Sequence, residues 1–145
     1  MKKQNKYVVP VAVIGPVTLA ADNTPAAVDL QGFEGAKLCI AVGVGGITFD
    51  TTNKVEFKLT HSDDDSTYTA VAAGDVLLGT NADSSVGTGG IVRSLIAAHA
   101  AASIAEVEYI GGKRYLKVLA DFSGTHGAGT PIAVSVLKGL AARTF

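Results

Sequence analysis

Three consecutive aspartates, Asp63, Asp64 and Asp65, are the residues whose type and spacing most resemble a chemical site. Carboxylate oxygens are ligands that Ca²⁺ prefers, so a calcium site is the first interpretation to test. An EF-hand loop alternates its ligands and needs a central Gly and a later Glu, which this segment lacks. The flanking Ser62 and Ser66 are typical turn residues, whose short side chains bond to nearby backbone groups. The sequence therefore predicts a solvent-exposed turn here and no metal site.

The three histidines and the single cysteine form no recognisable catalytic motif. His61 ends an alternating segment, His99 lies among alanines, and His126 lies in a glycine-rich stretch. A hydrolytic triad would need a nucleophile in a strained turn such as G-x-S-x-G, and the sequence contains none. Cys39 stands in an uncharged apolar run, which predicts a small buried side chain rather than a nucleophile. We therefore expect no catalytic residues, no cofactor and no enzymatic activity.

One group of basic and aromatic residues could bind a polyanion. Lys113, Arg114 and Lys117 are interleaved with Tyr109 and Tyr115, as in platforms for single-stranded nucleic acid. The formal net charge of the chain is −1, which provides no field that would attract nucleic acid. The sequence therefore favours a solvated or subunit-contacting face for this group.

These residues lie on or between short segments with the patterns of β-strands. Residues 55–61 alternate apolar and polar side chains, and a polar turn joins them to a second strand, which predicts a hairpin. The predicted strands cover 6–13, 26–30, 37–44, 55–61, 67–70, 106–110, 113–122 and 130–138. About seven or eight short strands joined by Gly, Asp and Asn turns predict an all-β fold, either an antiparallel sandwich or a jelly-roll-like barrel.

Four segments carry more specific expectations. The nearly continuous apolar run 37–44 is typical of a strand that is covered on both faces. Gly111 and Gly112 predict a two-residue hairpin turn between the strands on either side. Residues 75–79 predict a short turn or a helical turn. The Ala-rich stretch 91–105 has helix propensity but strand-like neighbours, so a strand at its start and a helical turn both stay open.

The N-terminal residues allow two interpretations. Lys2, Lys3 and Lys6 precede an apolar stretch, as in a secretory signal peptide. Pro10 and Pro16 interrupt that stretch, and a helical apolar region tolerates prolines poorly. We therefore predict an extended N-terminal arm or first strand over residues 1–15 and a single β domain over 16–145. The sequence contains no uninterrupted apolar run of about 18 residues, so it predicts no transmembrane helix.

Three stretches resemble small virion proteins of tailed bacteriophages and prophages. They are VDLQGFEGAK at 28–37, KLTHSDDDSTYTAV at 58–71 and EYIGGKRYLKVLADFSGTHGAGTPIAVSVLKG at 108–139. A D-x-x-G-F/Y start, a hairpin with an S-D-D turn and a Y-x-G-x-K-R-Y strand follow one another in that group as they do here. The last residues, 140–145, differ from the His/Pro-rich end that is typical of the group.

The resemblance implies a capsid cement or decoration protein that binds between major capsid subunits and stabilises the head. It implies a virion protein, assembled in the cytoplasm of the host bacterium. The partners would be the major capsid protein or further copies of this chain in a homo-oligomer, with no sequence-specific nucleic acid and no membrane. A head-tail connector, a tail component and a head-fibre base remain alternatives within the virion. A ligand- or carbohydrate-binding β-sandwich is the alternative of another class, although few aromatic residues are available for one.

The expected subunit contacts follow from this interpretation. The N-terminal arm or an edge strand would pair with or lie across neighbouring subunits. The candidate contact residues are Lys2, Lys3, Lys6, Tyr7, Tyr115 and Lys117.

Overall fold

The computed structural model describes residues 8–139, and within them the chain is built from ten β-strands. The strands are β1 Val9–Leu19, β2 Val28–Asp29, β3 Gly35–Val42, β4 Lys54–Ser62, β5 Thr69–Ala70, β6 Val76–Leu78, β7 Ile91–Leu95, β8 Ser103–Tyr109, β9 Tyr115–Ser123 and β10 Thr130–Gly139. A short 3-10 turn at Ala73–Asp75 precedes β6. No helix within this part of the chain is long and apolar enough to cross a membrane. The predicted all-β class is confirmed.

The strands form two antiparallel sheets of five strands each, and the sheets do not close into a barrel. Sheet A has the order β1-β10-β3-β8-β6. Sheet B has the order β2-β9-β4-β5, and β7 also pairs with β4. The arrangement is consistent with the sandwich rather than the barrel of the two predicted forms. The short strands β6 and β7 raise the number above the seven or eight that local patterns predicted.

The core lies between the sheets and follows the predicted alternation. Val55, Phe57 and Leu59 of β4 are completely buried. The alternating residues Ile132, Val134 and Val136 of β10 are buried in the same way. Full burial of one such aliphatic or aromatic side chain contributes about 1.5–3 kcal/mol, so these alternating positions dominate the stability of the sandwich.

The hairpin predicted over residues 55–71 exists but is small. β5 pairs with β4 only through Thr60 opposite Ala70 and His61 opposite Thr69. Along its full length, from Lys54 to Ser62, β4 pairs instead with β9. Alternation identifies a strand and its buried face, but it does not identify the partner strand.

The predicted hairpin at Gly111 and Gly112 is wrong. The strand before it, β8, belongs to sheet A, whereas the strand after it, β9, belongs to sheet B. These glycines therefore carry the chain from one sheet to the other. Gly112 has φ +77, which explains the glycine, and at Gly111 a Cβ atom would lie 2.8 Å from the hydroxyl oxygen of Tyr109.

The Ala-rich segment also crosses between the sheets. Its first residues form β7, which pairs with β4 in sheet B, and β8 begins in sheet A at Ser103. The strand at its start was one of the two open predictions, and the helix propensity of residues 96–102 is not expressed. An isolated helix of this length is marginal in water, so the crossing geometry prevails over propensity.

The first described strand, β1, is an edge strand of sheet A. It pairs with β10 from Val9 to Leu19, which extends past the predicted end of the arm at residue 15. Its pairing register shifts twice, between Ala12 and Ile14 and between Ile14 and Val17. Residues 1–7 and 140–145 lie outside the described residues, as do the predicted contacts at Lys2, Lys3, Lys6 and Tyr7.

Candidate interaction surface

The acidic turn between β4 and β5 uses its central aspartate to hold its own backbone. The Asp64 Oδ1 atom accepts hydrogen bonds from the backbone N–H groups of Ser66 and Thr67, both at 2.9 Å. The Ser62 hydroxyl also donates to it at 2.8 Å. These donors lower the pKa of Asp64 to about 2, because they stabilise the carboxylate. The predicted turn is confirmed, and its most constrained carboxylate is occupied by backbone groups.

The other two aspartates of the turn contact side chains outside the turn. Asp65, in a left-handed conformation with φ 57, accepts a hydrogen bond from the Tyr68 hydroxyl. Burial and this hydrogen bond raise the pKa of Tyr68. The Lys117 ammonium lies 4.1 Å from the centre of the Tyr68 ring. Asp63 lies 3.6 Å from the Lys113 ammonium. Lys117 therefore has a partner within its own chain, which its prediction as a contact residue did not include.

The predicted basic-aromatic group is divided by the sheet. Tyr109 points into the core and is only 1% exposed, whereas Tyr115 and Lys117 lie on the outer side of β9. The Arg114 guanidinium makes two hydrogen bonds of 2.9 Å to the Asp29 carboxylate. This pair lowers the pKa of Asp29 to about 2. Because the Arg114 guanidinium is already paired with Asp29, the basic-aromatic group does not form a free basic platform.

The three motif stretches meet around one open cleft. The cleft has a volume of about 430 Å³, and its lining includes Phe33, Glu34, Asp63, Lys113 and Arg114. Phe33 of the first stretch lies here beside Asp63 of the second stretch. Lys113 and Arg114 of the third stretch complete this part of the lining. The charged pairs described above account for both cations of the lining.

His61 takes part in a buried link between the two sheets. Its Nδ1 atom lies 2.8 Å from the Tyr109 hydroxyl, which also accepts the backbone N–H of Lys113 at 3.0 Å. The hydroxyl proton is therefore free to be donated to a neutral His61. Burial lowers the pKa of His61, which the nearby Asp75 carboxylate, 3.9 Å from Nε2, partly opposes. The link joins β4 to β8 and belongs to the scaffold.

The other two histidines have partners of their own. His126 is buried, lies 2.8 Å from the Ser123 carbonyl oxygen through Nε2, and packs edge-on against Phe122. His99 is half-buried and lies 3.3 Å from the Val42 carbonyl oxygen. Within residues 8–139, no three His, Cys, Asp or Glu side chains are grouped as metal ligands. His99 and His126 both lie beside the Phe49 ring, with ring centroids 6.4 and 6.3 Å away, so the structure brings together two histidines that the sequence contexts kept apart.

The outer face of sheet A differs from the expected polar surface. Across β10, β3 and β8 the side chains at the outward positions of two successive rows are small or apolar, apart from Glu106. These rows contain Ala133, Ala41 and Ile104, followed by Ser135, Cys39 and Glu106. An antiparallel sheet with one solvated face normally alternates apolar and polar residues. We call the outward positions Ala12, Cys39, Ala41, Ile104, Pro131, Ala133 and Ser135 the apolar face.

The outer face of sheet B provides the contrast. Lys54 forms an ion pair of 2.7 Å with Glu56, and Lys58 forms one with Asp121. These four side chains share the outer surface of β4 and β9. Sheet B therefore has ion pairs along the middle of its outer face, whereas sheet A carries the charged residues Lys37, Glu106 and Glu108 toward one end of its outer face.

Two details give the apolar face its shape. Ile104 projects from it and is 54% exposed. A hollow of about 170 Å³ lies on the same face, lined by Pro16, Val17, Ala41, Gly43, Pro131, Ile132 and Ala133. Lys37 and Glu106 form an ion pair of 3.2 Å at one corner. The face thus has an apolar centre with a projection, a hollow and a polar rim, which is the organisation of a protein interface.

Comparison of the chain with models of protein families, with curated proteins and with solved structures found no match.

Proposed function

We propose that the chain is a structural protein of a tailed-bacteriophage particle, a cement or decoration protein that binds between major capsid subunits. The resemblance of its three motif stretches to small virion proteins supports the phage context. The apolar face of sheet A supports a role in assembly, and it is the observation on which the proposal rests.

The strand β3 shows why the face needs a partner. Its sequence has the nearly continuous apolar pattern of a strand covered on both sides. On the inner side, Leu38 and Ile40 are completely buried against sheet B. On the outer side, Cys39 and Ala41 lie on the surface of the sandwich and are only half-buried. Contiguous exposed apolar patches larger than a few hundred Å² mark interaction sites in soluble proteins.

The polar residues support a structural role for a different reason. Asp64, Arg114 and His61 are the side chains with the most obvious chemical potential, and each is committed to a contact within the chain. A catalytic group must be free to reach a substrate atom in a cleft. These residues stabilise the turn, the β2–β9 contact and the link between the sheets.

The sheet edges favour binding through a face. Pro10 and Pro16 lie in the edge strand β1, and proline removes a backbone donor that an added strand would need. The opposite edge of sheet A, β6, has only three residues. The predicted pairing of an arm or edge strand with neighbours is therefore the less favourable mode of contact for this sheet.

Particles purified from the cells that carry the gene would test the proposal. We expect cryo-EM density for the chain on the capsid lattice and a copy number on the order of hundreds per particle. About a dozen copies would indicate a connector, since closed rings contain few subunits. Absence of the chain from purified particles would refute the virion role altogether.

Two matched variants connect the particle to the apolar face. Ile104→Glu places a charge at the projection of the face, whereas Ile96→Glu makes the same change at a residue 46% exposed after β7 of sheet B. We expect Ile104→Glu to reduce particle occupancy at least tenfold, because an unpaired charge in an interface costs several kcal/mol. Ile96→Glu should leave occupancy unchanged. Equal occupancy of both variants would contradict the assignment of this face.

A further inference from the structure

We propose that the apolar face binds a second copy of this chain, and that the two copies pack face to face about a two-fold axis that lies between the two sheets, above Ala41, and runs close to the direction of β3. This inference deepens the proposed function, because a pair of sandwiches would be the unit that binds the particle. Its physical basis is that the face is complementary to itself.

The self-complementarity follows from the register of sheet A. Ala41 of β3 pairs with Ile104 of β8 on one side and with Ala133 of β10 on the other. The projection at Ile104 and the hollow around Ala133 therefore lie one strand to either side of Ala41. A two-fold axis along β3 exchanges these two positions. It places Ile104 of each copy into the hollow of the other copy, and the hollow has room for one branched aliphatic side chain.

The size of the face is adequate for a weak dimer. The face spans four neighbouring strands of sheet A, namely β1, β10, β3 and β8. With ~4.8 Å between strands and six residues of ~3.3 Å along each strand, these strands cover roughly 400 Å² in projection. The accessible area of side chains exceeds this projection. Standard interfaces bury about 800 Å² per partner, so this one belongs to the small class of weak, transient interfaces.

Small side chains at the centre allow the two sheets to approach closely. Packed sheets lie about 10 Å apart and cross at about 30°, and a rotation about the centre moves the rim far more than the middle. The charged pair of Lys37 and Glu106 lies toward the rim, where ion pairs remain hydrated. The sheet edges do not compete, since prolines and register shifts interrupt β1.

Cys39 provides a direct reporter of this arrangement. It is the single cysteine of the chain and points outward from β3, two residues from Ala41. The proposed axis runs along β3, so Cys39 of one copy faces Cys39 of the other. A short bis-maleimide reagent that spans about 8 Å would join them across sheets whose backbones are about 10 Å apart.

The experiment combines sedimentation velocity and cross-linking of the purified full-length chain. We expect dimers that form with rising concentration over about two orders of magnitude around the micromolar range, and a cross-linked dimer through Cys39. Ile104→Glu should weaken dimerisation at least tenfold and abolish the cross-link, while Ile96→Glu should change neither. The Cys39→Ser/Lys117→Cys double variant moves the thiol to the outer face of sheet B and should give no cross-linked dimer.

Three results would overturn the inference. The first is a wild-type chain that stays monomeric at the highest concentration. The second is a dimer that survives Ile104→Glu, and the third is a dimer whose Cys39 residues are not joined. If the chain is monomeric but Ile104→Glu still reduces particle occupancy, the face binds a capsid subunit instead, so the inference fails while the proposed function stands. If dimers form but particles lack the chain, the proposed function fails while the inference stands.

Discussion

Removal of the Tyr109 hydroxyl tests whether the polar link between the sheets is essential to the sandwich. Tyr109→Phe keeps the ring in the core, where the residue is 1% exposed, and deletes an oxygen that contacts His61 and the backbone N–H of Lys113. The His61 ring is 5% exposed, so its Nδ1 atom would lose its partner without gaining water. The N–H of Lys113 is only partly buried and can recover a water molecule.

The magnitude follows from this asymmetry. A buried group that loses its hydrogen-bond partner costs about 1–3 kcal/mol, whereas a hydrogen bond exchanged for water costs about 0.5–1.5 kcal/mol or less. We therefore expect Tyr109→Phe to reduce the free energy of unfolding by about 2 kcal/mol at pH 7.5. Denaturant titration followed by far-UV circular dichroism would measure it, because the chain contains no tryptophan. Tyr115→Phe is the matched control on the outer side of β9 and should cost less than about 0.5 kcal/mol.

The same link predicts a dependence of stability on pH. Burial holds the pKa of His61 below its ordinary value of 6.5, so the folded chain resists protonation that the unfolded chain accepts. The contribution of neutral His61 is complete above pH 6.5 and is lost as the pH falls from there toward the folded pKa, with a slope of at most about 1.4 kcal/mol per pH unit. His61→Asn retains an acceptor but does not titrate, so its stability should fall less over this range. A Tyr109→Phe cost below about 0.5 kcal/mol, together with equal pH slopes for wild type and His61→Asn, would refute the link.

Two further changes test contacts at the same end of the sandwich. Gly111→Ala would place a Cβ atom 2.8 Å from the Tyr109 hydroxyl, so we expect a loss of about 1–3 kcal/mol in denaturant titration, and unchanged stability would show that this crossing is loose. The pKa of Asp29 should be about 2 by NMR titration and should rise toward 3.8 in Arg114→Gln, and an unchanged value in that variant would show that the guanidinium is not its cause.

Local patterns in the sequence predict strand positions well and strand partners poorly. Alternation correctly identified the buried faces of β4, β9 and β10, because it reports only which side of a strand meets apolar atoms. Gly111 and Gly112 have the composition of a hairpin turn, yet they connect different sheets. A glycine pair permits a tight reversal and permits an open crossing equally well, and the choice between them depends on distant strands.

The acidic turn was predictable from its own residues because its hydrogen bonds are local. Asp64 binds backbone groups two and three residues away, so the spacing of Ser and Asp contains the whole interaction. The pairing of Arg114 with Asp29 joins positions 85 apart in the chain, and neither sequence context indicates it. The resemblance brought both residues into motifs, but only the pairing of β2 with β9 places them together.

The apolar face is notable because the sequence pattern of β3 does not match the surroundings of β3 in a single chain. The pattern predicts two covered sides, and the fold covers one of them. An outer row of Ala133, Ala41 and Ile104 leaves small side chains around one large one, which a solvated surface does not require. The proposal that a second copy of the chain provides the other cover rests on the projection at Ile104 and the hollow beside Ala133, which lie one strand to either side of Ala41.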